Sequence, residues 1–235
     1  MNTVLILAGG RGTRLGSDMP KQFLMVDGRP LIMYCLETFN LHPLVDNIVI
    51  VISKEWEDFM TEWLDREQIA KFRDFAPAGK SRQHSIWYGL QKIQTLGAQN
   101  DDIVIVHDAA RPCVGVDLIT GCVENLNDAD AAMPVITVKD TTYMSKDGIR
   151  IDSLLNRDEL YAGQAPESFR YGKYYRLHEN MTDDELSAVR GTTEIAYRNG
   201  LAVRMFPGDE SNYKITTQDD FEKFRMQIEN KGVNN

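Results

Sequence analysis

Paired cysteines are missing from this sequence. Its three, Cys35, Cys113 and Cys122, make an odd count and none falls in a CxxC. That pattern excludes a disulfide framework, argues against a zinc site and suits a reducing cytosol. Long hydrophobic runs are missing too: Val4 to Ala8 is short and runs straight into glycine. Neither a secretory leader nor a bilayer span, which needs about 20 apolar residues, is expected. Positive charge is scarce, with 26 Lys and Arg against 35 Asp and Glu for a net charge of −9. A general affinity for nucleic acid or an anionic membrane is thereby disfavoured, because it requires a broad basic surface that neutralises phosphates. Internal repeats, low-complexity tracts and linkers are absent, and 235 residues at 43% hydrophobic composition suit one α/β domain spanning 1–235. The expectation is a cytoplasmic protein in which any cationic cluster is local.

What is present is an alternation of short β-branched runs with helical patterns. "TVLIL" (3–7), "NIVIVI" (47–52), "DDIVIVHD" (101–108) and "DAAMPVI" (130–136) are near-continuous apolar segments, as expected for buried strands of a mostly parallel sheet. Between them, "RPLIMYCLETFN" carries Pro30 at a first-turn position, and "SRQHSIWYGLQKIQTLG" offers a Ser81 cap and a Gly97 stop. The βαβαβ order predicts a three-layer sandwich. Residues 137–165 differ, with short alternating segments around a "KDG" turn. They predict a hairpin-like arm, packed either on a second subunit or on its own domain. Near the end, "LAVRMF" predicts a strand, "TTQDDFEKFRMQIEN" an amphipathic helix capped by Thr216 or Thr217, and "KGVNN" a frayed tail.

The chemistry is concentrated where the first strand enters "AGGRGTR". Gly9, Gly10 and Gly12 have no Cβ to block close approach, so backbone N–H groups there can converge on an anion. No GK[ST] follows, which excludes a P-loop, and the turn is a poor dinucleotide fingerprint. Glycines alone fit a tight strand-to-loop connection equally well. Arg14 and Lys21, with Pro20 fixing the backbone before the lysine, favour a phosphate cradle, since cations arriving from two sides neutralise a triphosphate where charge builds up in transfer.

Five ordered stretches, "LAGGRGTRLGSDMPKQFL", "AGKSRQHSIWYGL", "VHDAARP", "GQAPESF" and "SNYKIT", together resemble the cytidylyltransferases that activate polyol phosphates with CTP. That group includes the methylerythritol phosphate and ribitol-5-phosphate enzymes, and the resemblance runs from Val4 to about Phe224. It implies a Rossmann-like nucleotidyltransferase fold, a projecting β-arm at 137–165 that joins a homodimer, and Mg²⁺ on the triphosphate. It also implies a CTP site of Leu7, Ala8, Gly9, Gly10, Gly12, Gly79, Arg82, Ser85, Asp108 and Ala109. Arg14, Lys21, Arg157 and Lys214 would be the catalytic cations, with Arg157 supplied across the dimer. Asp108, Arg111, Asp140, Thr141, Arg157 and Thr192 would meet the acceptor, and Asp108 is the candidate metal ligand.

His107 is not expected to act as a base, because an acceptor phosphate is already an anionic nucleophile at neutral pH. Two departures stand out: Ala165, Pro166 and Glu167 replace the usual Thr-Pro-Gln, and "GTTEIA" lacks the usual acidic pattern after threonine. The spacings from "AAMPVI" to "DT" and from "YAGQAPESF" to "GTTEIA" resemble the ribitol type, so D-ribitol 5-phosphate is the expected acceptor and 2-C-methyl-D-erythritol 4-phosphate the alternative. A hexose-1-phosphate nucleotidyltransferase and a nucleotide-binding protein without turnover are the rival classes.

Overall fold

Strand β1 (Asn2–Leu7) is buried on both faces: Val4 and Ile6 enter one apolar cluster and Leu5 another. The same split recurs in β4 (Asn47–Ile52), through Ile48, Ile50 and Ile52 against Val49 and Val51, and in β6 (Ile103–Asp108), through Ile105 against Val104 and Val106. A strand whose alternate residues all need covering must lie between two helical layers. Helices α1 (Leu31–Leu41), α2 (Glu57–Arg66) and α4 (Val116–Glu124) cover one face, and α3 (Arg82–Thr95), α5 (Tyr171–Glu179) and α7 (Thr192–Arg198) cover the other. The structure is a computed structural model that describes residues 1–10 and 19–232.

The sheet also includes β5 (Phe72–Pro77), β7 (Ala131–Thr137), β10 (Tyr161–Gly163) and β11 (Glu167–Arg170), in the order β10-β7-β11-β6-β1-β4-β5, with β12 (Val203–Pro207) pairing β7. Pairings β1/β4, β1/β6, β4/β5 and β12/β7 are parallel, while β11 runs antiparallel between β6 and β7. The three-layer sandwich with a mostly parallel, open sheet therefore stands. Strands β1, β4 and β6 end on the same side, which is where ligands bind in such sheets.

Several boundaries differ from those the sequence predicts. Strand β6 begins at Ile103, because the Asp102 N–H is used in a turn, donating to Gln99 O at 3.1 Å, and the ladder with β1 starts at Ile103. Pro30 precedes α1 as its cap residue in extended backbone, after a short hairpin of β2 (Met25–Val26) and β3 (Arg29–Pro30). Ser81 caps α3, and Gly97 follows that helix at φ +88°. Helix α8 (Gln218–Gly232) runs into the segment expected to fray. Within 137–165, Thr137 ends β7 and β10 rejoins the sheet, so the projecting part is 138–160. It carries the hairpin of β8 (Tyr143–Met144) and β9 (Ser153–Leu154), whose "KDG" turn places Gly148 at φ +71°. One further helix, α6 (Asp183–Ala188), starts with a capping box between Thr182 and Glu185. No helix among the described residues is long and apolar enough to cross a membrane.

Candidate active site

The C-terminal ends of β1, β5 and β6 open into a cleft of about 730 Å³. Its floor is built by backbone continuity between strands: Ala8 N–H donates to Val51 O at 2.8 Å, Ala78 N–H to Ile52 O at 3.0 Å, and Ala109 N–H to Leu7 O at 3.1 Å. Leu7, Gly9, Gly10, Asp108 and Ala109 line the cleft from β1 and β6, and Gly79, Arg82 and Ser85 line it from the β5–α3 connection. Sequence positions as far apart as Leu7 and Lys214 thus meet in one place. Arg11, Gly12 and Arg14 lie outside the described residues.

Two glycines are required by close approach. A Cβ on Gly9 would sit 2.5 Å from Ala78 Cβ, and one on Gly79 would sit 2.4 Å from His84 Cβ and 2.7 Å from its backbone carbon. Ser85 Oγ accepts from Gly79 N–H at 3.0 Å, which fixes the bend after β5. Ala8, expected at the nucleotide, lies outside the cleft lining. It is 2% exposed, its N–H is used by Val51, and its carbonyl accepts from Gln22 Nε2. Its backbone polar groups are committed to the fold. Gln22, which sequence reasoning missed, also donates to Gly10 O at 2.9 Å and so braces the glycine turn. The only signal was a glutamine beside Lys21 in an otherwise apolar "QFLMV" run.

Asp108 sits between two cations, with Arg82 Nη2 at 2.9 Å from Oδ1 and Lys214 Nζ at 2.8 Å from Oδ2. Burial alone would push this carboxyl up, but Arg82 and Lys214 outweigh it and hold it well below the usual carboxylate range. Lys21 Nζ donates to Ile215 O at 2.8 Å, so both lysines meet the strand-like stretch before α8. That stretch is pinned by Ile215 N–H donating to Ala110 O at 2.9 Å and by Ile215 and Phe224 packing with Val26 and Leu31. The described lining residues include Lys21, Lys80, Arg82 and Lys214 and one carboxylate, Asp108, which pairs with Arg82 and Lys214, while Lys80 pairs with Asp183 outside the lining. Of the four cations expected from the sequence, Lys21 and Lys214 line this cleft, Arg157 does not, and Arg14 lies outside the described residues.

The expected acceptor residues are not brought together in this chain. Asp140, Thr141 and Arg157 are exposed on the arm, where Arg157 Nη1 donates to Lys139 O at 3.2 Å. Arg111 is not among the residues lining the cleft; its Nη1 donates to Asn212 O, and its Nε is buried without a hydrogen-bond partner. Thr192 is 2% exposed at the start of α7 and is not among the residues lining the cleft. Its neighbour Thr193 donates through N–H, at 2.9 Å, and through its hydroxyl to the buried Glu167 carboxylate. Burial raises the Glu167 carboxyl, partly offset by Arg82 and by the two threonine hydroxyls, although Thr192 Oγ1 reaches no hydrogen bond of full geometry. Glu167 therefore ties β11 to α7, a role unforeseen from the sequence. His107 is fully buried, holds Arg111 O at 3.0 Å and packs edge-on against Phe39, away from the cleft lining.

As for a metal, no cluster of three or more His, Cys, Asp or Glu side chains among the described residues is arranged to hold one. Asp108 keeps lone pairs beyond those facing Arg82 and Lys214. The donor set thus fits a Mg²⁺ held mainly by phosphate and water, with a single carboxylate, and does not fit an all-protein cage.

Comparison with known proteins matches residues 2–229 to the family model described as 2-C-methyl-D-erythritol 4-phosphate cytidylyltransferase. The Clostridium botulinum (strain Loch Maree / Type A3) protein of that name is 34% identical over 220 residues, covering 93% of each chain. The one from Geobacter metallireducens is 34% identical over 217 residues, covering 92% of each. The crystal structure of the Francisella tularensis protein of the same name superposes with a TM-score of 0.80 at 28% identity, covering 96% of this chain and 99% of that one. These names carry methylerythritol phosphate, so the ribitol preference drawn from spacing is unsupported and the alternative fits better. The physical reason lies in the fold: the first spacing falls at the base of the projecting arm and the second runs through α5 and α6, and neither lines the cleft. The chain belongs to the 2-C-methyl-D-erythritol 4-phosphate cytidylyltransferase family and is a nucleotidyltransferase.

Proposed function

We propose that the chain joins CTP to 2-C-methyl-D-erythritol 4-phosphate, giving the CDP-polyol and pyrophosphate. An acceptor phosphate oxygen attacks the α-phosphorus, and the bond from that phosphorus to the bridging oxygen of the leaving pyrophosphate breaks. The observation that carries this reading is the gathering of Lys21, Arg82 and Lys214 about the single lining carboxylate Asp108, set beside the Gly9–Gly10 turn in a chain matched by that family over nearly its whole length.

In this reading the triphosphate lies along the glycine turn, with Lys21 and Lys214 neutralising charge that grows as pyrophosphate departs. The pyrimidine lies toward Gly79 and Ser85, where a backbone without a Cβ lets the base close in. Asp108 aims Arg82 and Lys214 and is the carboxylate available to a Mg²⁺ travelling with CTP, which would supply further charge neutralisation on the phosphate oxygens. Catalysis then rests on positioning, with no covalent enzyme intermediate. The exposed apolar side chains of the arm, Tyr143, Met144, Ile149, Ile151 and Leu154, fit a second copy of the chain, whose Arg157 would reach the acceptor phosphate.

The test is pyrophosphate release with purified protein, CTP and Mg²⁺, comparing methylerythritol phosphate with ribitol 5-phosphate. Faster release with methylerythritol phosphate is expected. A wide margin for ribitol 5-phosphate overturns the acceptor and leaves the nucleotidyltransferase class intact.

A further inference from the structure

Helix α6 is largely exposed, and only Leu186 of its six residues is buried. Yet its first residue, Asp183, reaches the loop that lines the cleft. One carboxylate oxygen pairs with Lys80 Nζ, and the other lies 3.4 Å from His84 Nε2. On its far side the His84 ring meets Ser81 Oγ at 2.7 Å through Nδ1. Ser81 in turn caps α3 by accepting from His84 N–H at 3.4 Å. A single neutral tautomer satisfies the whole run: Nε2–H donates to Asp183, and Nδ1 accepts the Ser81 hydroxyl proton, leaving Ser81 lone pairs for the cap. Lys80, Ser81 and Arg82 all line the cleft, and Gly79 packs so tightly on His84 that no Cβ fits between them. Any shift of His84 is therefore passed directly to the Gly79–Arg82 backbone.

We propose that Asp183, acting through His84 and Lys80, is a positioning residue that latches the Gly79–Arg82 loop in its nucleoside-binding shape. Its carboxylate touches no substrate. It holds two side chains, Lys80 in the loop and His84 behind it, from outside the cleft, while the loop's other ties are the Gly79–Ser85 bond, the Ser81 cap, the Arg82–Asp108 ion pair and a 3.4 Å contact of the Ser81 hydroxyl with Leu186 O. The latch acts at the nucleoside end, because Lys21 and the Gly9–Gly10 turn are braced separately by Ile215 and Gln22. This inference rests on the placement of the base proposed above.

The experiment is equilibrium binding of CTP and of inorganic tripolyphosphate, each with Mg²⁺, to the full chain. Asp183→Ala is expected to raise the Kd for CTP by about 3- to 5-fold, the scale of a partly exposed charge pair, and to leave tripolyphosphate unchanged. Asp183→Asn, which keeps an oxygen for His84 but loses the Lys80 ion pair, should give a smaller rise. Asp184→Ala removes the same charge from the same exposed turn and should have no effect. Unchanged CTP affinity in Asp183→Ala, equal weakening of both ligands, or an equal effect from Asp184→Ala would each overturn the latch. Wild-type protein that binds CTP no better than tripolyphosphate overturns the placement of the base, and the latch with it.

Discussion

At the scale of single residues, the two lysines of the cleft separate fold from chemistry. Lys21 reaches Ile215 O, and Lys214, itself partly exposed, reaches the buried Asp108, which keeps Arg82 when Lys214 is removed. Lys21→Ala and Lys214→Ala should therefore remain folded while turnover falls about 10²- to 10³-fold, by analogy with removal of one preorganised oxyanion donor. Pyrophosphate release, checked beside an unchanged circular dichroism spectrum, measures this. His107 makes the opposite case. Burial pushes its imidazole down to about 4, with Arg111 O and Asp108 opposing. The unfolded chain takes up that proton near pH 6.5, so stability is full above about pH 6.5 and is lost as pH falls toward 4. His107→Gln should retain turnover within a few-fold and should lose about 1–2 kcal/mol less than wild type between pH 7 and pH 5. Denaturant midpoints at the two pH values give the comparison.

At the scale of elements, α8 depends on its first turn. Asp220 Oδ2 accepts from Thr216 N–H and Thr217 N–H, each at 2.8 Å, and from the Thr216 hydroxyl at 2.9 Å, while Asp220 N–H donates to Thr217 Oγ1 at 3.2 Å. Burial works against the charge, but these hydrogen bonds prevail and hold the carboxyl at about 2. Because the folded value is depressed, this stabilisation is present above the ordinary carboxylate range and is lost as pH falls toward 2. Asp220→Ala should cost about 1 kcal/mol at neutral pH, the usual worth of a helix cap, and the difference from wild type should vanish in acid. The element matters to the site because Ile215 and Phe224 anchor the stretch that carries Lys214. A raised KM for CTP in Asp220→Ala is therefore expected alongside the lower melting temperature.

At the scale of the whole molecule, the cleft is lined without any residue of the arm, and the arm's apolar side chains are exposed. Ile149, Ile151 and Leu154 are 87%, 66% and 64% exposed, more apolar surface than a solvated hairpin needs. In the proposed homodimer this surface is covered, and Arg157 sits on the same arm. Leu154→Asp should shift the protein toward monomer in light scattering and should lower turnover, with CTP affinity nearly unchanged. A dimer that persists with full activity would remove the arm from the interface.

The layered α/β sheet was legible because its central strands are apolar on both faces, and period and composition alone require two covering layers. Parts of the site were legible for a similar reason: Gly9 and Ser81 are local answers to close approach and capping, and Lys21 lies near its glycine turn in sequence, whereas Gly79 came only with the resemblance. Antiparallel β11 was not, since four residues ending in charge carry no signal for entering a sheet between β6 and β7. Gln22, Glu167 and Asp183 were equally hidden, because a polar side chain acquires a role only from what it faces. By itself the sequence determined which segments must be buried, where the chain must turn tightly, and which family of motifs it carries. Only the tertiary structure decided that Arg82 and Lys214 share Asp108, that Ala8 serves the fold, and that Thr192 is covered. Hydrophobic periodicity is a property of neighbouring residues, whereas electrostatic pairing across a cleft joins residues as distant in sequence as Asp108 and Lys214.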